Sequence, residues 1–403
     1  MILDDFQFAK RTDWPLASNQ LGHVLEQLRK ENIPVIDLTE SNPTQGGFVY
    51  PEQKILEALG DVKNLTYTPA SEGLLKAREA VSRYYQEKSL DVPPERILLT
   101  SSTSEGYSYL FRLLANPGER ILFPQPSYPL FQFLVDLNDI EMVNYPLYYA
   151  KGRWQMDFER LEEGIDINTK AIVIVNPNNP TGSFLRAEDI KVLNAICRKR
   201  RLALICDEVF GDYVLNNREN YISLAGNEEA LTFVLSGISK TLGLPQMKLS
   251  WIVMSGPRDL VQAARERLEI ISDTYLSVNT PVQHALSTWL PLRQEIQKDI
   301  LNRVQQNYAF IQHLSEDCLY CRLLHIDGGW YGILRIPDWH SEEAWVLLFL
   351  REEHILVHPG YFFDFEEETY IVLSLLCPVD DFQKGIRRLF KRVERENLKN
   401  LKA

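Results

Sequence analysis

The sequence predicts an α/β protein in which a large domain holds a mostly parallel sheet between helices, and a smaller α+β domain is formed by both ends of the chain. Three observations favour this fold. Short, largely apolar runs alternate with helical patterns through the middle of the chain. The C-terminal part instead has strand patterns separated by longer helical ones. Finally, 403 residues are too many for one small core, so two domains are expected.

The strands of the large sheet are predicted from runs rich in Ile, Leu and Val that do not alternate with polar residues. A parallel sheet is covered by helices on both faces, so its strands are apolar on both sides. We expect such strands at residues 96–100, 120–123, 171–175, 202–206, 233–235 and 251–254. Helical patterns lie between them, for example at residues 74–88, 188–200 and 258–271.

The smaller domain is predicted from the C-terminal part of the chain together with the N-terminal segment. Its strands are expected at residues 331–335, 355–358 and 370–374, and its helices at 341–353 and 379–395. The N-terminal segment contains one helical pattern and too little apolar surface to fold alone. We therefore assign residues 1–45 and 291–403 to the small domain and residues 46–290 to the large one.

Composition excludes several classes of partner. The hydrophobic share of 45% and the charged share of 24% are ordinary for a globular protein. A net charge of −12 argues against non-specific binding to nucleic acid or to a membrane. We see no secretory signal and no transmembrane run, and five scattered cysteines fit a reducing compartment, so a cytoplasmic protein is expected. Cys318 and Cys321 are interpreted as packing residues rather than as a metal or redox site.

Lys240 is the most informative candidate for chemistry. It follows the apolar run 231–235 and lies between small hydroxyl residues. Ligands of open α/β sheets bind beyond the carboxyl ends of the strands. Partial desolvation at such a place favours the neutral amine, which can attack a carbonyl group to form a Schiff base.

Three further clusters follow predicted strands. Ser102 and Glu105 have the spacing of a capping box, so a helix should begin there and offer free N–H groups to an anion. Asn179 lies in a turn with two prolines, and Asp207 is a buried carboxylate that needs a partner, for which a protonated pyridine nitrogen would serve. Lys248 could contact a phosphate. Taken singly, each also has a structural interpretation: a plain cap, a turn, a buried salt bridge or a solvated lysine.

Taken together, the order of these motifs resembles the class I/II aminotransferases of pyridoxal-phosphate fold type I. The resemblance covers nearly the whole chain, with further matching motifs at residues 37–43, 67–73, 126–129 and 359–360. It implies pyridoxal 5′-phosphate as cofactor, an amino donor and a keto acceptor as substrates, and a homodimer.

The resemblance also implies roles for individual residues. Lys240 would hold the cofactor as a Schiff base and move a proton at the substrate Cα. Asp207 would bind the pyridinium nitrogen, Asn179 the phenolic oxygen, and Tyr128 would stack on the ring. The residues expected around the phosphate are Ser102, Thr103, Ser239 and Lys248. Tyr67 would reach the phosphate in the partner subunit.

The chain departs from the family pattern at four positions. Phe210 stands where a tyrosine is usual and cannot donate a hydrogen bond to the cofactor. Lys248 replaces an arginine, which loses the two-pronged geometry. Gly237 stands where many members have serine, and Ser236 is the candidate replacement. Val372 stands where an arginine usually grips the substrate carboxylate.

The loss of that arginine leaves three interpretations. Arg335 could bind the substrate carboxylate, or Asn42 with backbone groups could bind it more weakly. Alternatively, the substrate could be an amine without a carboxylate in the usual place. Two alternatives to amino transfer also stay open: an elimination or decarboxylation on the same fold, and a non-catalytic cofactor-sensing module. Released ammonia or pyruvate would indicate elimination.

Overall fold

The computed structural model describes residues 7–16, 19–366 and 369–400. The strands are β1 (Ile36–Asp37), β2 (Ile97–Thr100), β3 (Arg120–Gln125), β4 (Glu141–Ala150), β5 (Arg153–Met156), β6 (Thr169–Val175), β7 (Ala203–Asp207), β8 (Thr232–Gly237), β9 (Ser250–Ser255), β10 (Arg322–Leu323), β11 (Tyr331–Arg335), β12 (Ile355–Leu356), β13 (His358–Pro359) and β14 (Tyr370–Ser374). The helices are α1 (Gln20–Lys30), α2 (Glu52–Glu57), α3 (Leu75–Gln86), α4 (Thr103–Leu114), α5 (Phe131–Leu137), α6 (Phe158–Glu163), α7 (Ala187–Arg200), α8 (Ile238–Thr241), α9 (Arg258–Asp273), α10 (Thr280–Glu316), α11 (Glu342–Leu348) and α12 (Val379–Asn400).

The large sheet has eight strands in the order β2-β9-β8-β7-β6-β3-β4-β5. Neighbours from β8 through β4 pair in parallel, whereas β9 runs antiparallel to both β2 and β8. The six predicted strands all belong to this sheet, so the α/β prediction is confirmed. The strands β4 and β5 were not predicted, because β4 contains Asn144 and Pro146 and is only partly buried.

Successive residues of the central strands face opposite sides of the large sheet, as the strand geometry requires. Val234 and Trp251 belong to the apolar core on one side, beneath α3, α7 and α10, whereas Leu235 and Ile252 belong to the core on the other side, beneath α4 and α9. Both faces are therefore covered, which explains why these strands read as continuous apolar runs. No helix among the described residues has the length and apolar character needed to cross a bilayer.

The smaller sheet has the order β10-β11-β14-β13 and is antiparallel. The N-terminal strand β1 pairs in parallel with β12, which belongs to the C-terminal part of the chain. Helix α10 connects the two parts as one continuous element of 37 residues. The expected boundary at residues 290 and 291 falls inside this helix, and the domain division stays a prediction.

Candidate active site

A cavity of about 310 Å³ opens where β6, β7 and β8 end. Nine of the residues proposed from the sequence line it: Ser102, Thr103, Tyr128, Asn179, Asp207, Phe210, Ser239, Lys240 and Lys248. They come from five separate stretches of the chain. Parallel strands bring these stretches together because their carboxyl ends share one edge of the sheet.

Lys240 lies in the short helix α8, directly after β8. Its amine is surrounded by protein except where it faces the cavity, with the ring centres of Trp330 and Phe210 at 4.6 Å and 5.4 Å. Burial lowers the pKa of Lys240 from 10.5 to about 8, and the nearby charge of Asp207 offsets part of that shift. A sizeable fraction of the amine is therefore neutral close to neutral pH, as a nucleophile requires.

Asp207 ends β7 and is 8% exposed. Burial raises the pKa of Asp207 from 3.8 to about 6, although two hydrogen bonds and the charge of Lys240 act in the opposite direction. The Val209 N–H donates to Oδ1 at 3.0 Å, and the Tyr107 hydroxyl donates to Oδ2 at 3.1 Å. The carboxylate is thus held in one orientation at the cavity wall, and a cation placed against it would favour its charged form.

The first turn of α4 forms the polar end of the cavity. Ser102 caps the helix by accepting a hydrogen bond from the Glu105 N–H at 3.1 Å, as the sequence predicts. The Glu105 carboxylate, however, accepts from the N–H of Ser101 at 2.7 Å instead of from the capping residue, so the reciprocal half of the box is shifted by one residue. The hydroxyl protons of Ser102 and Thr103 and the positive end of the helix dipole suit an anion.

Asn179 is held by the turn that follows β6. The turn closes at Gly182, where φ is +67° and a Cβ atom would lie 2.3 Å from the Gly328 carbonyl oxygen. The Asn178 side chain ties the turn by accepting from the N–H of Thr181 at 3.2 Å. Asn179 Oδ1 is buried and has no hydrogen-bond partner among the described residues. An amide held in this way is a site for a polar ligand group, because a buried polar atom without a partner is costly.

Comparison with known proteins identifies the family of this chain. A family model for aminotransferase class I and II matches residues 33–387. The chain belongs to the class I and II aminotransferases. It is 28% identical over 377 residues to the glutamate-pyruvate aminotransferase AlaA of Escherichia coli K12, covering 91% of this chain and 93% of that protein. It is 31% identical over 357 residues to the tyrosine aminotransferase of Mus musculus, covering 85% of this chain and 78% of that protein.

A solved structure agrees with this assignment at the level of the fold. Alanine aminotransferase from Pyrococcus furiosus matches with a TM-score of 0.88 at 24% identity, covering 96% of this chain and all of that one. The fold predicted from the sequence, a fold type I architecture with a second, smaller sheet, is therefore confirmed. The family match confirms the prediction that this chain is an enzyme that transfers amino groups.

Four predicted residues of this aminotransferase lie outside the lining of the cavity. Tyr67 is 74% exposed and borders a separate small cavity. Ser236 is buried on the opposite face of the sheet from Gly237, and its hydroxyl has no partner among the described residues. Arg335 is exposed at the end of β11. Asn42 Oδ1 accepts a hydrogen bond from the N–H of Thr44 at 3.0 Å, whereas the neighbouring residue Ser41 lines the cavity. The roles of these four residues stay predictions.

Val372 is not among the residues that line the cavity and belongs to a small apolar cluster. It is fully buried together with Trp154, Ile333, Phe363 and Tyr370. An isolated carboxylate would lose its hydration in such surroundings without gaining a partner. The position at which the resemblance leads us to expect a carboxylate-binding arginine is therefore part of a buried apolar cluster here. Among the described lining residues, the cations are Lys240 and Lys248.

Sequence reasoning missed several residues that complete the site. Tyr107 lies one turn inside the helix predicted at Ser102, and Trp330 and Tyr331 stand at the start of a predicted strand. Each was visible as an aromatic residue beside a predicted element. Nothing in the local pattern pointed toward Asp207 or Lys240, however, because these contacts join residues about a hundred positions apart.

Proposed function

We propose that this aminotransferase binds pyridoxal 5′-phosphate in the cavity around Lys240 and moves an amino group between an amino acid and a keto acid. The observation that carries the proposal is the pairing of Lys240 with Asp207 across one cavity. Burial holds both groups away from their ordinary ionisation, with the pKa of the amine lowered to about 8 and that of the carboxyl raised to about 6. Perturbed titration in a cleft is typical of catalytic groups.

The donors and acceptors around the cavity fit this cofactor. The carboxylate of Asp207 can accept from a protonated ring nitrogen, and the NH₂ group of Asn179, which lines the same cavity, can donate to a phenolic oxygen. Tyr128 presents an aromatic ring in the same cavity. The hydroxyl groups at the start of α4, with Ser239 and Lys248, suit a phosphate.

Pyridoxal phosphate supplies an aldehyde that condenses with amines and a ring that withdraws electrons from the substrate Cα. Lys240 provides the amine that holds the cofactor. The same amine would also take the proton from the substrate Cα and return it elsewhere, since a pKa of about 8 suits both roles near neutral pH. Asp207 would keep the ring nitrogen protonated, and its two oxygens are held by the Tyr107 hydroxyl and the Val209 N–H.

Reduction with borohydride tests the attachment. Peptide mass analysis should place the reduced cofactor on Lys240, and Lys240→Arg should lose the adduct while still binding the cofactor non-covalently. An adduct on another lysine, or none, would reject the proposal. Lys248→Arg is the matched control, because it keeps a positive side chain near the proposed phosphate site and should retain the adduct on Lys240.

We further propose that Tyr67 acts across a homodimer interface. Its ring is exposed and lies near Tyr109 and Ser277 rather than near Lys240. Such a residue can reach a site only in a second subunit. Analytical ultracentrifugation should give a dimer, and inactive Lys240→Ala mixed with Tyr67→Phe should give hybrid dimers with one site that carries neither change. Activity of the mixture above that of Tyr67→Phe alone supports the proposal. No such increase in proven hybrids contradicts it.

Glutamate and pyruvate are the first substrate pair to test, because the relatives named above include a glutamate-pyruvate aminotransferase. The buried Val372 favours a comparison with primary amines that have no carboxylate on Cα. Cofactor converted to the pyridoxamine form with one substrate indicates amino transfer, whereas released ammonia indicates elimination. A sharp rise in KM for Arg335→Ala would place that side chain on the substrate, and an unchanged KM would remove it.

A further inference from the structure

Ser250 occupies a central position among the groups proposed to hold the phosphate. It begins β9, where its backbone is paired with Thr100 at the end of β2 and with Gly237 at the end of β8. The chain continues from β2 into the cap of α4 and from β8 into the helix of Lys240. Ser250 therefore lies between the two halves of the polar end of the cavity, and it lines that cavity while being only 2% exposed.

The side chain of Ser250 takes the space that a side chain at position 237 would need. A Cβ atom added to Gly237 would lie 2.2 Å from Ser250 Oγ and 2.9 Å from Ser250 Cα. The φ angle of Gly237 is 177°, an extended value that any residue can adopt. Glycine is therefore required at position 237 by the lack of room and not by the backbone conformation.

The direction of the Ser250 side chain follows from the sheet. Residues directly opposite each other in an antiparallel pair project to the same face. Leu235 and Ile252, each two positions away, belong to the apolar core beneath α4. Ser250 and position 237 thus face the helix whose cap is Ser102. Ser236, the replacement expected from the sequence, faces the other side of the sheet.

We propose that the Ser250 hydroxyl donates a hydrogen bond to the phosphate of the bound cofactor, and that Gly237 and Ser250 form a coupled pair in which one position supplies the hydroxyl and the other stays free of side chain. This inference rests on the proposed function. It adds a phosphate-binding residue and explains why the hydroxyl expected at position 237 is missing.

Ser250→Ala tests the hydrogen bond, because it removes the hydroxyl and keeps the Cβ atom. The dissociation constant of the cofactor-free protein for pyridoxal phosphate should rise about 10-fold or more, as expected for a bond to a charged group. The affinity for pyridoxal, which has no phosphate, should be unchanged. Ser255→Ala is the matched control, since that serine lies at the far end of the same strand and donates to the Ala225 carbonyl oxygen. It should leave both affinities within about 2-fold.

The exchange of the two residues tests the coupling. Gly237→Ser alone should weaken phosphate binding by crowding Ser250, and Ser250→Gly alone should weaken it by losing the hydroxyl. The double variant should bind pyridoxal phosphate more tightly than the product of the two single effects predicts. Circular dichroism melting monitors folding, and if Gly237→Ser does not fold, the comparison of Ser250→Ala with Ser255→Ala decides alone.

Two results would overturn the inference: wild-type affinity of Ser250→Ala for pyridoxal phosphate, or an equal loss of affinity for pyridoxal. Simple multiplication of the single effects in a folded double variant would reject the coupling. The proposed function fails separately, by the absence of a borohydride adduct on Lys240 in the unmodified protein. The two failures are therefore distinguishable.

Discussion

Asp207→Asn should stabilise the cofactor-free protein at neutral pH, although it removes a residue of the site. The pKa of Asp207 is about 6 in the folded protein, against 3.8 for an ordinary aspartate, and burial is the main cause. A difference of roughly two units corresponds to about 3 kcal/mol of folding free energy lost when the carboxyl is ionised. Asparagine has nearly the same shape and carries no charge, so this cost disappears.

Part of the gain is offset by weaker hydrogen bonds. The amide oxygen can still accept from the Val209 N–H, and the Tyr107 hydroxyl can turn to accept from the amide NH₂. The hydrogen bonds that favour the carboxylate are already included in its pKa of about 6, so the remaining offset is the poorer fit of the amide to these two partners, about 1 kcal/mol. We therefore expect a net stabilisation of about 1–2 kcal/mol at pH 7.5.

The stabilisation by Asp207→Asn should depend on pH in a defined direction. Because the pKa of Asp207 is raised in the folded state, the folded protein binds more protons than the unfolded chain between pH 3.8 and about pH 6. The stability contributed by this group is therefore present below that window and is lost as the pH rises through it. The advantage of Asp207→Asn should be complete at pH 7.5 and much smaller at pH 4.5.

Urea unfolding of both cofactor-free proteins at pH 4.5 and 7.5, at one protein concentration, measures the difference. The same substitution should weaken pyridoxal-phosphate binding roughly 10- to 100-fold, since the ring nitrogen loses its charged partner. A variant that is less stable than wild type at pH 7.5, or equally stabilised at both pH values, would refute the argument that burial dominates at Asp207.

Three further predictions follow from the same geometry. The rate at which pyridoxal phosphate attaches to the cofactor-free protein should rise with pH to a plateau, with a midpoint near the Lys240 pKa of about 8, in stopped-flow absorbance; a rate that still climbs at pH 10 would contradict it. Phe210→Tyr places a hydroxyl beside the amine, so the pH midpoint of the visible band of the loaded enzyme should fall, and an unchanged midpoint would show that the hydroxyl does not reach the cofactor. Gly182→Ala should cost about 2 kcal/mol or more in urea unfolding and weaken cofactor binding through Asn179, because its Cβ meets a carbonyl oxygen. Gly47→Ala is its control: φ is +71° but the space is open, so only about 1 kcal/mol of backbone strain is expected, and equal losses in the two variants would reject the steric argument.

The local pattern was enough to predict the strands of the large sheet where burial on both faces makes a strand continuously apolar. It failed at β4, because the polar residues and the proline of this segment interrupt the apolar run, although the strand pairs with β3 and β5. That the candidate residues gather around one cavity was predictable for a related reason. Polar residues directly after apolar strands must gather at one edge of a parallel sheet, and nine of those proposed line one cavity.

The sequence by itself therefore determined the family, six strands of the large sheet and the candidate lysine, because these depend on residue type and on order along the chain. Only the tertiary structure decided which neighbours tune those residues. Tyr107 meets Asp207, Trp330 meets Lys240, and Ser250 fills the space beside Gly237, although each pair is separated by at least thirteen positions. Such contacts are set by strand order and packing across the sheet, and spacing along the chain carries no record of them.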